Sequence, residues 1–413
     1  MQNVTSHMRR LLALGIVSAF ALTACGNESA VVPVQRVSMK LTDSSPAFGL
    51  KLLDHLLGEP DAGNVFISPL SATIMLAMAA SASDGETRTA MLKVLGLDVS
   101  ADPSAEVAAT MKRLAKSDAN AQLELEQAVW AQDGLKLSPA YVAKLRGDYR
   151  AEVGNLDFRS AGAPGVVNSW VDEATHHKIT QLVDDFPAET VGFLVNATYF
   201  HALWSTEFKT AGDGDFHTFA GATRHLPLMR RDDGVIVLST PDYQAALLPY
   251  KGARFSALIL LPKGELEPKE FETLLTQARW AEVMGYLHRA AGPTLGDKCT
   301  GQGFGDSGVT CDGTLVMPKF KVEYKKDLTE TLAALGMPMP AGLPEFCEGC
   351  ALTKVIQKTY LEIDEKGTIA AAATGGSAVT SAPIPMVVDR PFAFALIDNA
   401  SDAPVFLGAI GDL

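Results

Sequence analysis

Apolar side chains recur at helical spacing through Phe48, Leu52, Leu53, Leu56 and Leu57, which predicts an amphipathic helix opening near Leu41. The stretch N-V-F-I-S-P-L-S-A-T-I-M-L-A-M-A-A follows at 64–80. Ser68 is placed to cap a helix and Pro69 to take its first position, where a missing N–H costs nothing. The body from Leu70 to Ala80 is apolar all round, so the pattern predicts a buried helix. Ser83-Asp84-Gly85-Glu86 offers a second cap, for a helix ending at Gly96. Residues 122–132 alternate as a strand, and Val166 to Lys178 read as a surface helix followed by a loop through Pro187.

From Gly192 the pattern turns to strands. They are 192–200, 256–262, Leu315 to Tyr324, Val355 to Ile363, Phe392 to Ile397 and Val405 to Ile410. A helix over 268–284 and a short one from Asp327 to Leu335 interrupt them. Helices early and strands late predict an α+β fold. No linker or repeat breaks the chain after residue 41, so residues 41–413 read as one large domain. Residues 291–314, rich in Gly and containing Cys299 and Cys311, read as a loop insertion closed by a disulfide.

One segment fits neither loop nor core chemistry. L-E-I-D-E-K-G-T-I-A-A-A-A-T-G-G-S-A, Leu361 to Ala378, starts as a strand and becomes a run of Ala, Gly, Thr and Ser. Loops ordinarily carry Asn, Asp and Pro, and cores carry large aliphatics. The alternate positions Thr368, Ala370, Ala372, Thr374, Gly376 and Ala378 are all small, and these are the side chains one face of a strand buries. Such a segment suits a loop that later enters a sheet, a known switching mode.

The chain has a net charge of −13, which argues against nucleic acid or an anionic membrane surface as partner. Met8-Arg9-Arg10, the apolar run Leu11 to Leu22 and the exit Leu22-Thr23-Ala24-Cys25 predict an export signal over residues 1–25. The run is too short for a membrane span. It resembles a bacterial lipobox, in which Cys25 becomes the lipidated first residue of the mature chain; a plain secretory signal is the alternative. Gly26 after the Cys resembles the sorting pattern for an outer membrane. Residues 26–40 then form a polar tether. These features predict an extracytoplasmic, lipid-anchored protein.

Cys299, Cys311, Cys347 and Cys350 remain, an even number that reads as disulfides in an exported protein. Local pairing, Cys299–Cys311 and Cys347–Cys350, is the simplest of three connectivities. C-E-G-C at 347–350 also fits a redox pair or half a metal site, but Pro344 and Gly349 place it in a loop rather than at a helix start.

Six motifs in order resemble the serpin family over essentially the whole mature chain. They are N-V-F-I-S-P-L-S at 64–71, V-N-S-W-V at 167–171 with I-T-Q-L-V at 179–183, V-N-A-T-Y-F-H-A-L-W at 195–204, M-P-K-F at 317–320, I-D-E-K-G-T at 363–368, and D-R-P-F at 389–392. Singly, each has a plain reading: a Ser-Pro helix start is ordinarily a cap, a buried Trp is ordinarily core, and an exposed Lys–Glu pair contributes little. Their shared order carries the resemblance. It implies three β-sheets, about nine helices and an exposed reactive-centre loop over about 365–388.

The resemblance also implies roles. Ser68, Ser71 and Asn196 fall in the family's polar shutter beneath the main sheet, with Gln357 where a His is usual. Gln supplies donor and acceptor but no titratable proton. Trp204 falls at the top of the sheet, where insertion begins, with Lys319 and Glu365 as an ion pair beside it. The hinge is Glu365, Lys366, Gly367, Thr368, Ile369, Ala370, Ala371, Ala372, Ala373 and Thr374. Ile369 departs from the usual Glu and is expected to point outward.

The implied partner is a serine or cysteine protease held in a covalent acyl complex by a monomeric inhibitor that needs no cofactor or metal. A non-inhibitory binding or carrier protein on the same scaffold is the alternative. Non-inhibitory relatives usually break the small-residue run, and this chain keeps it. Loop length places the cut at Ser381-Ala382; matching the common Ser after the cut gives Thr380-Ser381, and Val379 is a third position. Small neutral side chains there suit elastase-like or subtilisin-like targets, not trypsin-like ones. Pro383 and Pro385 hold the far side of the loop extended.

Other chemistry finds little support. His176-His177 reads as a surface pair on the helix rather than metal ligands, since adjacent residues do not share a helix face. Asp213-Gly214-Asp215 reads as a turn, because the remaining ligands of a calcium loop are missing. There is no phosphate loop, nucleophile elbow or H-E-x-x-H.

Overall fold

The computed structural model describes residues 40–60, 62–114, 120–291, 309–368 and 386–413. The leader with Cys25, the tether up to residue 39, Cys299, Ile369 to Thr374, and Thr380, Ser381 and Ala382 lie outside the described residues.

Helix α1 (Lys40–Leu57) leads to strand β1 (Val65–Ile67) and helices α2 (Pro69–Ala82), α3 (Gly85–Val94) and α4 (Pro103–Leu114). Next come β2 (Ala121–Gln132), α5 (Pro139–Gly147), β3 (Glu152–Leu156) and α6 (Ala163–Ala174). Five strands follow: β4 (Gly192–Leu203), β5 (Lys209–His217), β6 (Thr223–Ser239), β7 (Tyr243–Pro249) and β8 (Phe255–Pro262). After α7 (Phe271–Leu274) and α8 (Gln277–Ala291) come β9 (Val309–Pro318), β10 (Phe320–Asp327) and α9 (Thr329–Ala334). The chain ends in β11 (Ala341–Gly342), β12 (Ala351–Leu352), β13 (Ile356–Ile363), β14 (Gly367–Thr368), β15 (Met386–Val387), β16 (Phe392–Asp398) and β17 (Ala403–Ile410).

The strands form three sheets. The largest runs β1-β17-β16-β8-β7-β6-β9-β15, with β5 paired to β6; the second runs β10-β13-β14-β4-β2-β3; β11 and β12 make the third. Every residue of α2 is buried, as its all-round apolar sequence requires, and the helix lies against both β17 and β4. Ser68 caps it, its Oγ accepting from the Ser71 N–H at 3.3 Å. Strands β8, β16 and β17 are buried at every position, which explains their unbroken apolar runs. Among the described residues no helix is long and apolar enough to cross a membrane.

Several local expectations are corrected. The run from Leu315 to Tyr324 is two strands in different sheets, β9 pairing with β6 and β10 with β13. The chain changes sheet at Lys319, after a proline that has no N–H to extend a ladder. The helix over 268–284 is three pieces, because Leu275 leaves helical geometry and the Thr276 hydroxyl caps a new helix through the Arg279 N–H at 3.1 Å. Ser83 ends α2 instead of capping α3; its Oγ donates to Gly342 O at 2.8 Å.

Asp213-Gly214-Asp215 is no turn but part of β5, in register with Pro227, Leu226 and His225. This strand is mostly exposed and lacks apolar alternation, so only its partner reveals it. The foreseen loop over 291–314 gives way to β9 at Val309, with Cys311 in that strand. Helix α6 ends at Ala174, so His176 and His177 lie beyond it, at φ 49° and 62°.

Candidate functional site

The end of β13 turns sharply through Asp364. Its Oδ1 accepts from the amides of Lys366 and Gly367 at 2.8 and 3.1 Å, a local Asx-type closure that folds the chain back on itself. Gly367 and Thr368 then form β14 between β13 and β4, with Thr368 opposite both Ile363 and Ala202. A Cβ at position 367 would lie 2.0 Å from Ala202 O, so only glycine lets the chain enter here. Among the described residues, no ladder joins β4 directly to β13; the sheet is continuous only through β14.

Aromatic and polar groups line this opening. Trp204 is fully buried and stacks on Tyr250 with ring centroids 4.2 Å apart and planes at 13°. Its Nε1 donates to Asp364 O at 2.9 Å and its backbone N–H to Lys366 O at 2.8 Å. The Tyr250 and Thr368 hydroxyls share a buried hydrogen bond of 2.9 Å. Burial raises the Tyr250 phenol well above its usual range, so it stays protonated.

Lys319 Nζ lies 2.7 Å from Glu365 Oε1, which also accepts from Thr210 Oγ1 at 2.9 Å. Burial pushes the Glu365 carboxyl up. Hydrogen bonds from Lys319, the backbone and Thr210, with the Lys319 charge, outweigh that and hold it below the usual carboxylate range.

A second polar group lies on the inner face of the same sheet. Gln357 of β13 accepts from the Ser68 N–H at 3.0 Å and donates to Ser68 O at 2.9 Å. The two-sided amide thus satisfies the backbone N–H and C=O of one residue. Ser68 Oγ donates to Val405 O of β17 at 2.7 Å, and Ser71 Oγ donates to Asn196 Oδ1 of β4. Thr198 Oγ1 donates to the same oxygen at 3.2 Å. Asn196 Nδ2 and both side-chain polar atoms of Gln127, which faces Asn196 across the β2–β4 ladder, are buried without a hydrogen-bond partner.

The sequence-derived residues therefore form two clusters. Trp204, Lys319, Glu365, Lys366, Gly367 and Thr368 meet at one end of β4; Ser68, Ser71, Asn196 and Gln357 meet beneath its middle. The family profile for serpins (serine protease inhibitor) matches residues 43–413. The chain belongs to the serpin family. Iripin-3 of Ixodes ricinus is 29% identical to it, over 91% of this chain and 95% of its own length. Antichymotrypsin-2 of Bombyx mori is likewise 29% identical, over 88% of this chain and 96% of its own. The native-state crystal structure of the thermophilic serpin tengpin is similar with a TM-score of 0.76 at 24% identity, covering 92% of this chain and 96% of that one. The complex of thyroxine-binding globulin with thyroxine gives a TM-score of 0.75 at 22% identity, covering 90% and 98%. The fold is the α+β serpin fold, with nine α-helices among the described residues.

Sequence reasoning missed Tyr250, Gln127, Thr198 and Thr210 in this serpin. Tyr250 and Thr368 are 118 positions apart, and nothing in the local pattern of either marks the contact. Thr198 and Gln127 were findable: they sit at inward positions of β4 and β2, where polar residues interrupt the apolar alternation. Cys347 and Cys350 form a disulfide in the loop between β11 and β12. Among the described residues no group of three or more His, Cys, Asp or Glu is arranged to hold a metal ion.

Proposed function

We propose that this serpin is a suicide-substrate inhibitor of serine proteases, and of cysteine proteases that acylate in the same way. The observation that carries the reading is the position of β14: the hinge starts between β13 and β4, two strands that no ladder joins directly among the described residues. After Ile369 the chain continues as the small, uncharged run from Ala370 to Ala378, suited to continuing inward. No charge occurs between Thr368 and Val388, so insertion would bury no unpaired ion.

In this reading the protease nucleophile attacks the carbonyl of Ser381 or Thr380. The peptide bond breaks, the following residue leaves with a free amine, and an ester or thioester joins protease and inhibitor. The freed hinge then extends β14 through the six-stranded sheet. About a dozen residues at ~3.3 Å each carry the attached protease ~40 Å. Displacing catalytic groups by even ~1 Å can cost on the order of 10²-fold in rate, so the acyl bond outlives the distortion.

Small side chains at 380–382 favour elastase-like and subtilisin-like proteases as targets. Lipidation at Cys25 would hold the inhibitor at the cell envelope, facing such enzymes outside the cytoplasm. Incubation with elastase-, subtilisin- and papain-type proteases is expected to give a covalent complex that survives denaturing electrophoresis. Mass spectrometry of the released C-terminal peptide will locate the cut. Only clean cleavage with every class would sink the inhibitor reading in favour of a carrier.

A further inference from the structure

Helices α1 and α3 and the turn that closes α9 meet around a cleft of about 250 Å³. Its floor is the edge of the main core: Phe48 of α1 is 2% exposed, and Val94 and Leu335 are half-buried against the same cluster. Lys51 stands one turn beyond Phe48 on α1, and Lys93 one turn beyond Ala90 on α3, so each lysine shares a helix face with an apolar lining residue. Gly336 ends α9 at φ 98° and brings no side chain to the cleft; a Cβ there would lie 4.0 Å from Val94 Cγ2.

Exposed helix lysines ordinarily keep their ammonium groups in water while their stems cover apolar neighbours. Lys93, in the last turn of α3, also complements that helix's dipole. Lys51 has no such role, because it sits in the interior of α1. Neither lysine has a hydrogen-bond or ion-pair partner among the described residues, in a chain whose acidic residues outnumber its basic ones 48 to 35. Two cations at one concave apolar surface, with no protein anion paired to either, are complementary to an anionic head on a short apolar tail. The volume equals that of about eight waters at ~30 Å³ each, so the occupant has on the order of ten non-hydrogen atoms.

We propose that this cleft binds a medium-chain carboxylate of about the size of octanoate. Lys51 and Lys93 hold the carboxylate, and Phe48, Val94 and Leu335 receive the alkyl chain. A membrane lipid headgroup offers similar charge, but the cleft has room for the head and chain of a free acid together. The site uses none of the hinge or shutter residues and needs no protease, so it goes beyond the inhibitory reading and does not rest on it.

The test is isothermal titration calorimetry of the mature chain with sodium octanoate, at low ionic strength and without protease. A Kd on the order of 0.1–1 mM is expected for so small a ligand. Lys51→Met and Lys93→Met keep the stems and remove the charge. Each is expected to weaken binding about fivefold, and the double variant more than tenfold, with melting temperatures little changed. 1-Octanol should bind the parent no better than octanoate binds the double variant. Ala90→Phe, which fills the cleft from α3, should bind neither. Equal affinity for octanoate and octanol would overturn the proposal. So would parental affinity in the double variant or in Ala90→Phe, or no heat of binding at millimolar octanoate. Capture on phosphatidylglycerol vesicles that octanoate does not displace would also overturn it, by assigning the lysines to a membrane surface. Protease trapping is measured separately, so none of these results decides the inhibitor reading.

Discussion

Glu365 illustrates how one side chain links the turn after β13 to the body of the molecule. Its carboxyl is held below the usual range by Lys319 and Thr210, so its folded value lies beneath the ordinary 4.5. A depressed carboxylate stabilises the fold at pH values above its unfolded pKa, and that contribution is lost as pH falls through the folded value. The urea midpoint of the intact protein should therefore fall as the pH drops below about 4.5. Lys319→Met should flatten that pH dependence, while a curve of unchanged steepness would show that the pair does not stabilise the hinge. Gly367 could be recognised in sequence as part of I-D-E-K-G-T, but its reason could not. The close approach of Ala202 O exists only once β4 and β14 are side by side.

At the level of elements, periodicity was reliable where burial was one-sided or complete. The all-apolar α2 and the strands β8, β16 and β17 are buried as their sequences predict. It failed where one apolar stretch spans two sheets: residues 315–318 are unbroken apolar, alternation starts only at Lys319, and the chain passes from one sheet to another there. It also failed where a strand is held by its neighbour rather than by a buried face, as in β5. The Cys347–Cys350 disulfide closes only a short loop between two-residue strands. The chain-entropy estimate for so small a loop is about 2 kcal/mol. Cys347→Ser with Cys350→Ser should therefore lower unfolding stability by no more than about that amount and leave protease complexes intact. Loss of complex formation with the fold retained would assign the pair a redox role instead.

The whole molecule is proposed to be held short of its most stable arrangement. Cutting the loop removes the covalent restraint at its far end, where β15 is pinned beside β9 in the large sheet. A gain of several kcal/mol from a completed strand corresponds to a rise of several °C in a chain of this size, at roughly 1 °C per kcal/mol. Differential scanning calorimetry of intact and nicked protein measures this directly. Coincident melting curves would remove the stored free energy on which trapping depends.

The sequence by itself determined the family, the α+β class and the buried α2, because each depends on residue type and local spacing. It also marked Trp204, Ser68, Asn196 and Gln357 as worth attention through ordered motifs. Only the tertiary structure decided which of these touch, that Tyr250 meets both Trp204 and Thr368, and that the segment beyond α6 reaches both β2 and β13. Those contacts join positions far apart in the chain, and their energies depend on packing geometry that no local pattern encodes.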